Sequence, residues 1–130
     1  RGVADRPALA DDPVEGPAVS LDVCGDVDGL PASIDAAVFR IVQESVTNAR
    51  WHAHDASRIE VRVCGEEGVV RIDVVDDGRP GRGPSDRRGS GFGIPGMRER
   101  AEMLGGNLTA GPCKGGGWRV TATIPRKAPR

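Results

Sequence analysis

A chain of 130 residues, 38% hydrophobic and 28% charged, has the size of one domain able to bury a single core. Its formal net charge of −1 leaves no global basic field, which argues against a charge-driven grip on nucleic acid or an anionic membrane surface. The apolar runs span only a few residues and the amino terminus has no apolar leader core, so neither a membrane span nor a signal peptide is expected.

Residues 1–17 carry three prolines and little apolar periodicity, the pattern of a linker or of the edge of a trimmed chain. In "AVSLDVCG" (18–25), Val19, Leu21 and Val23 alternate with Ser20, Asp22 and Cys24, which predicts a strand. Next, Ile34, Ala37, Val38, Ile41, Val42, Ser45 and Ala49 recur at helical spacing, with Ser33 as N-cap and Asp35 in the first turn, predicting an amphipathic helix over about 33–53. "SRIEVRVCG" (57–65) and "GVVRIDVVDDG" (68–78) are alternating β-branched runs that predict an antiparallel hairpin.

Residues 79–93 form a long polar stretch without periodicity, of the kind that usually serves function inside a compact domain. Helical spacing resumes at Ile94, Met97, Ala101 and Leu104, and stops at Gly105-Gly106. "NLTAGPCKGGGWRVTATIP" (107–125) closes with two strands around a glycine-rich turn, and 126–130 reads as a tail. This order predicts one domain over 18–125, an α+β two-layer sandwich with a mixed, mostly antiparallel sheet and helices on one face. The three cysteines are far apart, odd in number and not in CxxC spacing, which argues against a disulfide framework or a zinc site and fits a reducing cytosol.

Several groups are candidates for chemistry. Glu44, Asn48 and His52 fall at i, i+4 and i+8, a polar row beside the apolar stripe that is either solvated surface or the wall of a site. His52 and His54 point about 200° apart on a helix and cannot share an ion, whereas the oxygen-rich pair Glu44 and Asn48 suits magnesium. Asp76, before Gly78, is turn chemistry or an acceptor for an amino group such as that of adenine. "GSGFGIPG" (89–96) contains a literal GxGxxG, but no strand precedes it directly, so the dinucleotide fingerprint fails on context. Unhindered amides leading into a helix N-terminus still make a positive pocket for phosphate, and Arg82, Arg87 and Arg88 add charge.

In chain order, "ESVTNARWHA" (44–53), "VVDDGRPG" (74–81) and "GSGFGIPGMRERAEMLGGNLTAG" (89–111) resemble the N box and the two glycine boxes of the Bergerat-fold ATPases. The chain is most similar to the ATP-binding catalytic domain of bacterial sensor histidine kinases, in the subclass that partners helix-turn-helix response regulators. "RIVQESVTNA" (40–49) and "GMRERAEMLGG" (96–106) are specific to that subclass.

The resemblance implies a Bergerat fold that binds Mg-ATP and donates the γ-phosphate to a histidine on a separate dimerisation domain, with a response regulator as the downstream partner. It implies Asn48 as magnesium ligand with Glu44 beside it, both in the catalytic set, and His52 against the sugar or base. Asp76 would bond the adenine amino group, Gly78 and Gly81 would line the base pocket, and 79–93 would be the ATP lid. Gly91, Phe92, Gly93 and Ile94 would hold phosphate, and Thr121 would help close the adenine pocket.

Trp51 departs from the family, which has Lys or Arg there to reach a phosphate, and Pro80 stands at the second glycine of the first glycine box. His54-Asp55 mimics a phosphoacceptor dipeptide but ends the nucleotide-binding helix, so the phosphoacceptor domain is expected before Arg1. The isolated domain is expected to be monomeric and cytoplasmic, without direct membrane contact or nucleic-acid binding, and a membrane anchor elsewhere in the kinase stays open. An anti-sigma-factor type serine kinase and a non-catalytic docking module remain the alternatives.

Overall fold

The structure, a computed structural model, describes residues 17–52, 56–78 and 93–127. Among the described residues, five strands and two helices follow in the order β1 (Ala18–Gly25), α1 (Ala32–His52), β2 (Arg58–Glu66), β3 (Val69–Asp76), α2 (Ile94–Met103), β4 (Asn107–Pro112) and β5 (Trp118–Pro125). The strands form one sheet in the order β1-β2-β3-β5-β4. β1 and β2 are parallel and every other pair is antiparallel, the mixed sheet expected from the sequence.

Alternation explains the two faces. Ile59, Val61 and Val63 on β2, Val70, Ile72 and Val74 on β3, and Val120, Ala122 and Ile124 on β5 are buried, while their sequence neighbours point to the other side. The buried stripe of α1, with Ile34, Val38, Ile41, Val42, Val46 and Ala49, packs in one cluster with these strands and with Met97 and Ala101 of α2. Each large aliphatic side chain removed from water there is worth about 1.5–3 kcal/mol. The outer face is polar, with ion pairs such as Arg62 Nε to Asp22 Oδ2 at 3.2 Å.

Two expectations are corrected. Helix α1 begins at Ala32, so Ser33 lies inside its first turn, where the Asp35 amide donates to the Pro31 carbonyl at 2.9 Å. Cys24 and Cys64, expected to remain unlinked, are joined as a disulfide. They are Cα partners 4.5 Å apart across the parallel β1/β2 pair, a juxtaposition that long-range register creates and that their separation of 40 residues conceals. Cys113 is a free thiol.

Chain course fixes which end of the sheet carries the site. Because β1 and β2 are parallel, α1 must run back across the sheet, and its last turns arrive where β2 begins. That is also where β3 ends, since Ile59 pairs with Asp76, and where β5 begins, since Asp76 pairs with Trp118. Helix α2 runs antiparallel to α1: Ser45 Oγ donates to Met97 Sδ at 3.3 Å, and Arg100 Nη2 lies 3.5 Å from Glu44 Oε2. Its N-terminus therefore opens at the same end as Asn48.

Candidate functional site

Three elements converge at this end: the C-terminal half of α1, the last residues of β3 and the first turn of α2. Glu44 and Asn48, one turn apart, are half-buried on the border between the core stripe and solvent. The Glu44 carboxylate is already engaged. Arg40 Nε donates to its Oε2 at 3.0 Å, and Arg100 Nη2 approaches the same oxygen. Glu44 Oε1 is buried and meets no hydrogen-bond donor among the described residues, which leaves one carboxylate oxygen available one turn from Asn48; Arg100 Nε is buried and meets no acceptor among them. Sequence reasoning missed both arginines, although Arg40 stands at i−4 from Glu44, a spacing that signals a pair.

An amide oxygen and one carboxylate oxygen are hard donors. They fit magnesium, which takes few protein ligands and fills the rest of its shell with water and phosphate oxygens.

Asp76 is 4% exposed at the end of β3, on the face covered by the helices. Its Oδ1 accepts the Gly78 amide at 3.0 Å, an Asx turn that carries the chain out of the strand, and Gly78 is itself buried. The adjacent carboxylate does different work. Asp77 Oδ1 accepts the Ser57 and Arg58 amides at 2.8 and 3.1 Å, and Oδ2 accepts the Ser57 hydroxyl at 2.5 Å. The Ser57 hydroxyl, followed by the two amides, holds the Asp77 carboxyl down at about 2. The pair "DD" thus divides into a buried acceptor facing the site and an exposed clamp on the start of β2.

Gly93 occupies the N-cap of α2, followed by Ile94 and then Pro95 in the first turn, with no side-chain cap bond. The Gly96 and Met97 amides return to the Gly93 carbonyl at 3.2 and 3.3 Å. A helix start of this kind keeps its positive end available to an anion.

Thr121 is a correction. It belongs to the face opposite the helices, out of phase with Val120, Ala122 and Ile124, and its Oγ1 donates to Asp73 Oδ1 at 2.8 Å. It stands across from Asp73, not Asp76, and does not close a pocket on the helix side. The residue opposite Asp76 is Trp118, in phase with the buried positions of β5 and packed against the core. That phase was readable in "WRVTATIP". Gly81, Gly91, Phe92 and the rest of residues 79–92 lie outside the described residues, as do His54 and the side chains of Trp51 and His52.

The sequence pattern of the histidine kinase-, DNA gyrase B- and HSP90-like ATPases matches residues 34–128. The chain is 33% identical over 111 residues to the sensor histidine kinase YxjM of Bacillus subtilis, covering 82% of this chain and 25% of that protein. It is 31% identical over 101 residues to the signal transduction histidine-protein kinase/phosphatase DegS of Brevibacillus brevis, covering 78% of this chain and 26% of that protein. It thus spans about a quarter of the length of these relatives.

Among solved structures, the histidine kinase domain of a blue-light activated kinase from Erythrobacter litoralis superposes with a TM-score of 0.59 at 28% identity, over 82% of this chain and 51% of that one. The catalytic domain of the histidine kinase ThkA, at 16% identity and a TM-score of 0.62, shares the fold over 84% of this chain and 80% of that one. A sheet of this order with helices on one face accords with the matched pattern: the chain belongs to the histidine kinase-, DNA gyrase B- and HSP90-like ATPase family and carries its Bergerat ATP-binding fold.

Proposed function

We propose that this domain binds Mg-ATP at the junction of α1, β3 and α2 and presents the γ-phosphate to a histidine on a separate dimerisation domain of a sensor kinase. The observation that carries this reading is the convergence at one end of the sheet of Asn48 with the leftover Glu44 oxygen, the buried Asp76 carboxylate and the first turn of α2.

Asp76 accepts the amino group of the base, and burial strengthens that bond by excluding competing water. The Gly93 and Ile94 backbone at the start of α2 faces the phosphates. Asn48 would supply an amide oxygen to the ion, and Glu44, held by Arg40 and Arg100, would offer it Oε1. Magnesium, when bound, offsets the phosphate charge that would otherwise repel an incoming nucleophile.

The remaining work is positioning. Phosphoryl transfer asks the protein to hold the acceptor in line with the leaving oxygen, so that the imidazole nitrogen bonds phosphorus as ADP departs. In this reading the acceptor imidazole and its assisting acid come from the dimerisation domain, and a response regulator then takes the phosphoryl group.

Calorimetry with a non-hydrolysable ATP analogue, with and without magnesium, tests the reading. Binding strengthened by magnesium in the unaltered chain, with that increment lost in Asn48→Ala, is the expected result. No binding at millimolar analogue would sink the reading in favour of a docking module, and an unchanged increment in Asn48→Ala would remove the magnesium assignment.

A further inference from the structure

Trp118 opens β5 directly across from Asp76. Directly opposed residues of an antiparallel pair project to the same face, so the indole emerges beside the carboxylate on the side covered by the helices. It packs against the core yet is only partly buried. An aromatic ring next to a buried acceptor is the pairing that recognises a flat heterocycle carrying an amino group, the ring by stacking and the acceptor by a hydrogen bond.

The turn before β5 fixes this pairing in place. Gly115, Gly116 and Gly117 have φ of 89°, 116° and 92°, a run of left-handed backbone open only to glycine. A Cβ on Gly117 would collide with the Asp76 carbonyl oxygen, so the turn lies directly on the β3 end. The three glycines thus hold the start of β5, and with it the Trp118 backbone, against the end of β3.

We propose that Trp118 is a specificity-determining wall of the base site, its indole lying against the ring whose amino group Asp76 accepts. This rests on the nucleotide reading given above and deepens it. A purine overlaps the indole more fully than a pyrimidine, so the wall favours purine nucleotides, and it acts at the base end, independently of the phosphates and of magnesium.

The chain has two tryptophans, so Trp51→Phe leaves Trp118 as the sole indole reporter. In that variant, ADP without magnesium is expected to change Trp118 emission and protect it from acrylamide quenching, while inorganic tripolyphosphate does neither. In the otherwise unaltered chain, Trp118→Ala is expected to weaken ADP about tenfold and to narrow the preference for ADP over CDP, with Trp118→Phe restoring most of both. ADP binding by calorimetry with unchanged Trp118 emission, or with equal affinity in Trp118→Ala, would overturn the wall while leaving the nucleotide reading intact. Absence of any ADP or ATP binding to the unaltered chain would overturn the nucleotide reading, and the wall with it.

Discussion

The Glu44 carboxylate on α1 and the Arg100 guanidinium on α2 stand 3.5 Å apart, so the helix that bears Asn48 is tied by charge to the helix whose first turn opens the site. With Arg40 on the same oxygen, Glu44 braces the helices through Oε2, and Oε1 is left for the ion of the proposed site. Its two oxygens divide these tasks.

Glu44→Gln separates the two. Loss of the brace is expected to lower stability by about 1 kcal/mol, the scale of a partly exposed ion pair, in a urea melt. The same change is expected to shrink the magnesium-dependent gain in ATP-analogue affinity. Arg100→Gln should reproduce the stability loss and keep the gain. If Glu44→Gln keeps the gain too, Glu44 is a brace only.

Asp76 should read the base and not the phosphates. Asp76→Ala is expected to weaken an adenine nucleotide about ten- to a hundredfold, the scale of a lost hydrogen bond to a charged acceptor. An unsubstituted purine nucleotide, which has hydrogen in place of the amino group, should bind the variant and the parent alike. Equal losses for both nucleotides would mean that the change merely loosens the turn at Gly78, whose amide Asp76 also accepts.

The Asp77 clamp makes a testable contribution to acid stability. Its folded value of about 2 lies below the ordinary 3.8, so the clamp stabilises fully above pH 3.8 and is lost as pH falls towards 2. Asp77→Asn is expected to melt at a lower temperature than the parent near neutrality, with the gap closing between about pH 4 and pH 2. A gap that stays constant across that window would assign the effect to side-chain shape and not to ionisation.

Thr121→Val checks the placement of β5. Removing the hydroxyl that donates to Asp73 is expected to cost about 1 kcal/mol in a thermal or urea melt and to leave nucleotide affinity untouched. A marked fall in affinity would return Thr121 to the base pocket.

Much of this molecule was legible in its sequence. β1 runs from Ala18 to Gly25 as its alternation required, and α1 begins within one residue of where its periodicity placed it. The polar row of Glu44 and Asn48 follows from 3.6-residue geometry alone. What escaped depends on partners distant in the chain. The Cys24–Cys64 contact needs the β1/β2 register, and the Asp76–Trp118 pairing needs the β3/β5 register, neither of which any local pattern encodes. Thr121 is a different case, because the alternation around it already sent it to the outer face. The motif resemblance outweighed a period-two signal that was correct.

Helix α1 has one further consequence. Its buried stripe, from Ile34 to Ala49, locks its rotation, so Asn48 rides on a strut whose azimuth is set by the core. In the proposed site, ligand binding need not order this wall, so its affinity would be spared the entropy of arranging it. The same rigidity makes the site sensitive to a frame error that composition would never show. One residue inserted between Ser45 and Asn48 would swing the amide and Ala49 together about 100° around the axis, or turn the preceding stripe out of the core instead. Packing and ligand geometry here are phased to one helical clock, and neither can be reset without the other.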